Sequence, residues 1–260
     1  MAELSVVIPV YNENATIAPL LREVANALPE VSKQIIIVDD CSRDGTVEWL
    51  RRNLSKAQGV WHGVTVREDG EIDLRRQPDA NTAGFAFTVI FHDRNRGKGG
   101  AVRTGLEHAC GEVIVIQDAD LEYDPSDWSL MLPLITERKI ADVVYGSRFD
   151  SRPHRSLYFY HYLGNRIISL IFSMLYNQTL SDVEVCYKMF KREVLKQLVL
   201  TTNGFGFEIE ISAKIALARR WRIYEVGISC YGRTYAEGKK INWRDGIKAL
   251  GYLVKFAAVR

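Results

Sequence analysis

Two short apolar runs near the start of the chain show no alternation of polar positions. Leu4 to Pro9 (LSVVIP) and Gln34 to Val38 (QIIIV) are rich in β-branched residues, the pattern of strands covered on both faces. Between them, Thr16 to Leu28 sets Ile17, Leu20, Leu21, Val24 and Leu28 at helical spacing. A strand, a helix and a strand in that order predict a βαβ crossover and hence a parallel sheet. A second helix is expected after Asp44-Gly45-Thr46, with Thr46 as its cap, and a third strand over a stretch that includes Thr88 to Phe91.

The polar stretch from Gln58 to Gly84 interrupts this rhythm and reads as an insertion; its Asp69-Gly70, set between VTVRE and EIDL, signals a hairpin. The alternation then resumes. A helix is predicted around Ala101 to Ala109 and an apolar strand over Glu112 to Gln117, followed by a strand at Asp142 to Gly146. Further helices are expected at Leu163 to Tyr176, Arg192 to Leu198, Glu208 to Ala218 and from Trp243 to the end. No repeat or low-complexity linker divides the chain. The pattern predicts one α/β domain, residues 1–260, with a mostly parallel central sheet and helices on both faces; residues 1–125 and 126–260 form its two halves.

Composition narrows the classes without choosing among them. With 47% hydrophobic and 25% charged residues, the chain can bury a real interior, which excludes disordered and fibrous proteins. A net charge of +2 gives no reason to expect nucleic acid as a partner. Cys41, Cys110, Cys186 and Cys230 show no metal-finger spacing and read as reduced thiols. The start, MAELSVVIPVY, lacks the pattern of a secretory signal, so a cytoplasmic location is expected. Leu163 to Leu175 is apolar, contains Arg166 and falls short of the roughly 20 residues needed to span a bilayer; it suits an interfacial helix or a core helix with one edge facing a ligand.

Candidate chemistry gathers at predicted strand ends. In open α/β sheets ligands bind beyond the carboxyl ends of the strands, so Asp39-Asp40 and Asp118-Ala119-Asp120 should converge on one crevice. Asp118 and Asp120, two apart on an extended segment, point to one side and can hold a hard divalent cation, with Glu122 extending the oxygen set. Asp39 and Asp40 suit either a turn with a helix cap or the capture of a nucleobase N–H. Arg94 to Gly100 (RNRGKGG) lacks the upstream Gly and the Ser or Thr of a phosphate loop, which excludes the NTPase class. Lys98 in that run suits a contact to a bound phosphate or a solvated face.

Taken in order, Pro9-Val10-Tyr11-Asn12-Glu13, IVDDCSRDGT, NRGKGGAVRTG and DADLEYDP resemble the family 2 glycosyltransferases of GT-A fold. Gly146-Ser147-Arg148, SDVEVCYKMF at Ser181 to Phe190, GFGFEIEI and GRTYAEGKKI at Gly232 to Ile241 resemble the branch that makes polyprenyl-phosphate (dolichyl-phosphate) sugars. The resemblance covers nearly the whole chain except Gln58 to Gly84. It implies an inverting hexosyltransferase that uses a nucleotide-sugar donor, UDP-linked in preference to GDP-linked, and a polyprenyl-phosphate acceptor. It further implies action at the inner membrane face, with the membrane surface or a membrane protein as partner.

By the same resemblance, Pro9, Tyr11, Glu13, Asp39 and Asp40 cradle base and ribose, and Asp118, Asp120 and Glu122 surround Mg²⁺ or Mn²⁺. Arg148, Arg166, Arg233 and Lys239 match positions that face donor or acceptor phosphates, a role suited to bidentate guanidinium groups. Asp182 orients the acceptor, acts as base toward a hydroxyl, or is a structural cap. Two other functions fit: transfer to a saccharide hydroxyl, and binding of a nucleotide sugar without turnover.

Overall fold

The computed structural model describes residues 2–79, 82–150, 153–156, 158–234, 237 and 243–258. The two apolar runs are the neighbouring strands β1 (Leu4–Val10) and β2 (Lys33–Asp39), paired in parallel from Leu4 opposite Lys33 to Val10 opposite Asp39. Both are almost wholly buried, which is why neither alternates. The connecting helix α1 (Ile17–Asn26) buries Ile17, Leu20, Leu21 and Val24, the residues its spacing marks.

Helix α2 (Thr46–Leu54) follows, but Thr46 is not its cap. Asp44 accepts the Thr46 N–H at 3.1 Å, and the Thr46 hydroxyl is buried, accepting the Glu13 N–H. The carboxylate two residues upstream thus caps the helix, and the threonine ties it to the loop after β1. The insertion is a hairpin, β3 (Gly63–Val66) with β4 (Ile72–Arg75), turning through Gly70 at φ +79°. Trp49 on α2 donates to the Gly70 carbonyl at 3.0 Å and holds this hairpin against the domain.

β5 (Phe85–Phe91) pairs with β2. α3 (Lys98–His108) then crosses to β6 (Val113–Ile116) on the far side of β1. α3 begins three residues earlier than its apolar periodicity indicates, because Gly97 at φ +79° makes the turn that starts it. Gly105 lets α3 lie against β1, where an added Cβ would meet Val7 at 2.4 Å.

Three elements in the second half escape the sequence pattern. α4 (Trp128–Thr136) is apolar around most of its circumference and contains Pro133, so it has no helical stripe to detect. β8 (Lys188–Lys191) and β9 (Ile223–Gly227) flank β7 (Val143–Ser147); β8 is antiparallel to both β6 and β7, whereas β9 is parallel to β7. β8 hides because it carries the fully buried Lys188. The remaining helices are α5 (Phe159–Tyr176), α6 (Arg192–Leu195), α7 (Phe207–Leu217) and α8 (Trp243–Ala257). α5 starts four residues before its expected Leu163, and α6 ends three before its expected Leu198.

The sheet order is β5-β2-β1-β6-β8-β7-β9. Chain progress reverses direction between β1 and β6, which opens a crevice at their carboxyl ends. α5 divides its apolar residues: Ile168, Phe172 and Tyr176 are buried, while Leu163, Ile167, Leu170 and Met174 are exposed. The Tyr176 hydroxyl donates to the Leu253 carbonyl at 2.9 Å and fixes α8 to the buried side. Among the described residues, no helix is long and apolar enough to cross a membrane.

Candidate active site

The strands flanking the switch point run into polar residues at one edge. β1 leads to Tyr11-Asn12-Glu13, β2 ends at Asp39-Asp40, β6 leads to Asp118-Ala119-Asp120, and β7 ends at Ser147 before Arg148. Because β8 is antiparallel, the segment entering it, Asp182 to Tyr187, returns to this same edge. The loops after β1 and β2 are laced together: Asn12 N–H donates to the Ser42 hydroxyl, and Arg43 N–H to the Asn12 carboxamide at 2.8 Å.

Asp39 and Asp40 have different surroundings. Asp39 is fully buried; its Oδ2 accepts the Ser42 N–H at 3.1 Å, while Oδ1 has no hydrogen-bond partner among the described residues. A buried carboxylate oxygen left without a donor costs about 1–3 kcal/mol or more, which a base imide N–H would recover. Pro9 and the exposed Tyr11 flank this position at the end of β1. Asp40, by contrast, is fully engaged. It accepts from His92 at 2.7 Å, from Arg96 N–H at 2.8 Å and from Gly97 N–H at 2.7 Å. Asp40 thus anchors the loop that leads into α3.

Glu13, Asp118, Asp120 and Glu122 line the crevice with two cations among them. Lys98 in the first turn of α3 lies 2.9 Å from Asp118 and 3.2 Å from Glu208. Of its two sequence alternatives, the solvated face is excluded. Burial works to lower the Lys98 pKa, but Asp118 and Glu208 outweigh it and hold the ammonium well above its ordinary value. Arg233 reaches Asp120 at 3.3 Å, Glu13 at 3.5 Å and Glu122 at 3.5 Å, and its N–H donates to Glu122. Burial, then the charges of Asp118 and Glu122, push the Asp120 carboxyl up to about 7 despite Arg233.

Among the described residues, no three His, Cys, Asp or Glu side chains converge as a metal cage. Asp118 and Glu122 nevertheless lie close enough to Asp120 for their charges to act on its carboxyl, and Glu122 also accepts the Arg233 N–H. What they offer is a pair of hard oxygen donors, Asp118 and Asp120, with Asp120 crowded by like charge. Such a pair fits Mg²⁺ or Mn²⁺, which keep positions for water and substrate phosphates. A pH dependence follows. The native state holds a proton on Asp120 that the unfolded chain loses near pH 4, so stability falls as pH rises between about 4 and 7. A divalent cation must displace that proton, so Mn²⁺ affinity measured by calorimetry is expected to weaken below pH 7 and level off above it.

On the other side of the crevice, Arg148 and Asp182 form a bidentate pair. Arg148 donates through Nε at 2.6 Å and Nη2 at 2.7 Å, and its backbone N–H reaches the same carboxylate at 3.1 Å. Asp182 is fully buried, and its own N–H donates to Glu225. Of the three expectations for Asp182, the general base is the one this geometry disfavours, since both oxygens already accept from Arg148. Arg166 is exposed on α5, 5.7 Å from the Phe149 ring, which Arg148 also approaches at 5.6 Å. Lys239 lies outside the described residues.

Three charged residues went unrecognised in the sequence. Glu208 joins Lys98 to the buried Lys188, extending the alternating row Asp118, Lys98, Glu208, Lys188 into the core. Glu184 has its carboxyl pushed up to about 7, chiefly by burial, with Arg148 opposing and Asp182 adding to the rise. The available signal was charge inside apolar surroundings: Glu208 in FEIEISAKIAL, and Glu184 and Lys188 in SDVEVCYKMF.

The structure is similar to that of glucosyl-3-phosphoglycerate synthase from Mycobacterium tuberculosis in complex with Mn²⁺, UDP and phosphoglyceric acid. The TM-score is 0.65 at 19% identity, covering 98% of this chain and 78% of that one. In sequence it is 30% identical over 210 residues to glycosyltransferase AglJ of Haloferax volcanii, covering 80% of this chain and 56% of that protein. It is 25% identical over 245 residues to the dolichol-phosphate mannosyltransferase of Pyrococcus furiosus, covering 92% of this chain and 60% of that one. To the dodecaprenyl-phosphate galacturonate synthase of Rhizobium johnstonii it is 24% identical over 240 residues, covering 91% and 61%. The chain thus spans less than two thirds of the length of these curated relatives. The family model for glycosyl transferase family 2 matches residues 5–71 and 74–199. With its fold, strand-end carboxylates and motif order in agreement, the chain belongs to glycosyl transferase family 2.

Proposed function

We propose that the protein is an inverting hexosyltransferase that takes its sugar from a nucleoside diphosphate, UDP before GDP, and delivers it to a polyprenyl phosphate at the cytoplasmic membrane face. The observation that carries the donor assignment is the unsatisfied Asp39 Oδ1 at the same sheet edge as the Asp118–Asp120 pair. Uracil and guanine each present an N–H to such an oxygen. UDP is favoured because the similar solved structure holds UDP with Mn²⁺.

In this assignment Pro9, Tyr11 and Glu13 border the nucleoside, and Asp118 and Asp120 hold Mg²⁺ or Mn²⁺. The bound ion supplies Lewis-acid stabilisation of the departing diphosphate. Lys98 and Arg233 add fixed positive charge beside the same leaving group, and in a dry crevice such preorganised charge acts strongly. Arg148, held rigid by Asp182, faces the acceptor phosphate, with Arg166 at the rim. A phosphate acceptor is already an anion near neutral pH, so the transfer needs no strong base. Residues 1–125 supply the donor side and residues 126–260 the acceptor side of one domain. The exposed face of α5 suits contact with the bilayer that holds the lipid acceptor. Relatives named for dolichol and dodecaprenyl phosphates support this acceptor class.

Glu184 favours a second function, transfer to a saccharide hydroxyl. A carboxyl near pH 7 beside Arg148 is suited to general base catalysis. The test is transfer of radiolabelled hexose from UDP-sugar or GDP-mannose, with Mn²⁺, to undecaprenyl phosphate in detergent with a water-soluble oligosaccharide supplied as the competing acceptor. Label in the organic phase, retained by Glu184→Gln, supports the lipid acceptor. Label only in water-soluble glycan, abolished by Glu184→Gln, replaces it with the hydroxyl acceptor.

A further inference from the structure

The sequence run RNRGKGG does more than position Lys98. Arg94, Asn95 and Arg96 line a cavity of about 610 Å³ together with Arg103 and Asn203. None of the crevice carboxylates borders it. Its walls are fixed on two sides. Asp40 grips the Arg96 and Gly97 N–H groups, and Glu210 accepts from the Thr201 and Thr202 N–H groups of the opposing loop at 2.7–3.0 Å. Gly97 lets the two walls meet, since a Cβ there would lie 2.6 Å from the Asn203 carbonyl.

The cavity presents donors. Asn95 Oδ1 accepts the Gly97 N–H at 3.1 Å, and Asn203 Oδ1 accepts from Arg103 at 2.6 Å. Both carboxamides are thereby oriented with their NH₂ groups left to donate. Among the described residues the three guanidinium groups share one ion pair, Arg96 with Asp93 at 3.0 Å, and Asp93 is largely exposed; such surface pairs hold charge weakly. Arg94 has no hydrogen-bonded partner among the described residues.

We propose that this cavity is a second anion site, separate from the donor crevice, that takes a phosphate-bearing ligand through Arg94, Arg103 and the Asn95 and Asn203 amides. Planar guanidinium groups with amide donors beside them are the chemistry that recognises phosphate oxygens. A free phosphorylated metabolite and an anionic lipid headgroup share that chemistry.

The test titrates pyrophosphate into the protein by calorimetry in metal-free buffer containing chelator, where the crevice has no metal ion and Lys98 and Arg233 are already paired with its carboxylates. A parallel arm measures flotation with phosphatidylglycerol vesicles. The wild-type protein should bind in at least one arm, which names the source, and more weakly as salt rises. Arg94→Gln, which breaks no hydrogen bond, should weaken that binding about tenfold, and Arg94→Gln with Arg103→Gln should abolish it. Asp118→Asn should leave it unchanged. Absence of binding in both arms, equal binding by the arginine variants, or loss in Asp118→Asn would overturn the proposal. None of these results depends on nucleotide binding, so failure of the donor assignment would be seen separately.

Discussion

Asp118→Asn is expected to lower the transfer rate by about a thousandfold or more while leaving the melting temperature within a few degrees of wild type. The substitution preserves shape and removes one negative charge from an oxygen 2.9 Å from Lys98. Lys98 keeps Glu208 at 3.2 Å, so no buried cation is orphaned and the fold should hold. On the proposed assignment, what is lost is a hard ligand for the ion that would stabilise the leaving diphosphate. Steady-state kinetics at saturating Mn²⁺, with circular dichroism as the control, decides the matter. Activity close to wild type would remove Asp118 from the metal site.

Asp182→Ala should have the largest effect on stability, about 3–5 kcal/mol by chemical denaturation. Asp182 is wholly buried and satisfies three N–H groups of Arg148. Removing it leaves a guanidinium in the interior with its strongest partner gone. Asp182→Asn separates structure from chemistry, because it keeps the shape and one acceptor oxygen. If Asp182 positions Arg148, the variant should raise KM for the acceptor and leave the pH profile of kcat in place. Disappearance of the acidic limb of that profile would instead make Asp182 the base.

The first half of the molecule was readable because its strands and helices follow the two periods that sequence can display. β1, β2 and α1 bury the residues their spacing marks, and the carboxylates fall at strand ends, where the switch point makes a crevice. The second half departs from those periods. α4 has no polar face to define a stripe, and β8 contains a buried lysine paired with Glu208 on distant α7. Asp39 and Asp40 show the same limit at the site. They are adjacent and identical in type, and only the fold sends one into a gap and the other into the Arg96–Gly97 backbone. The spacing of Asp118, Asp120 and Glu122 places carboxylates near one another but does not show that Arg233 lies among them.

The central claim is that the crevice between β1 and β6 is a nucleoside diphosphate site completed by a divalent cation. Its most direct test is the melting temperature of the protein with UDP, GDP or CDP, each with and without Mn²⁺. A ligand at a hundred times its Kd adds about 2.7 kcal/mol, a readily measured shift. The account predicts a rise with UDP that requires Mn²⁺, a smaller one with GDP, and loss of both in Asp39→Ala and Asp118→Asn. An equal response to all three nucleotides without metal, or none to any, would contradict it.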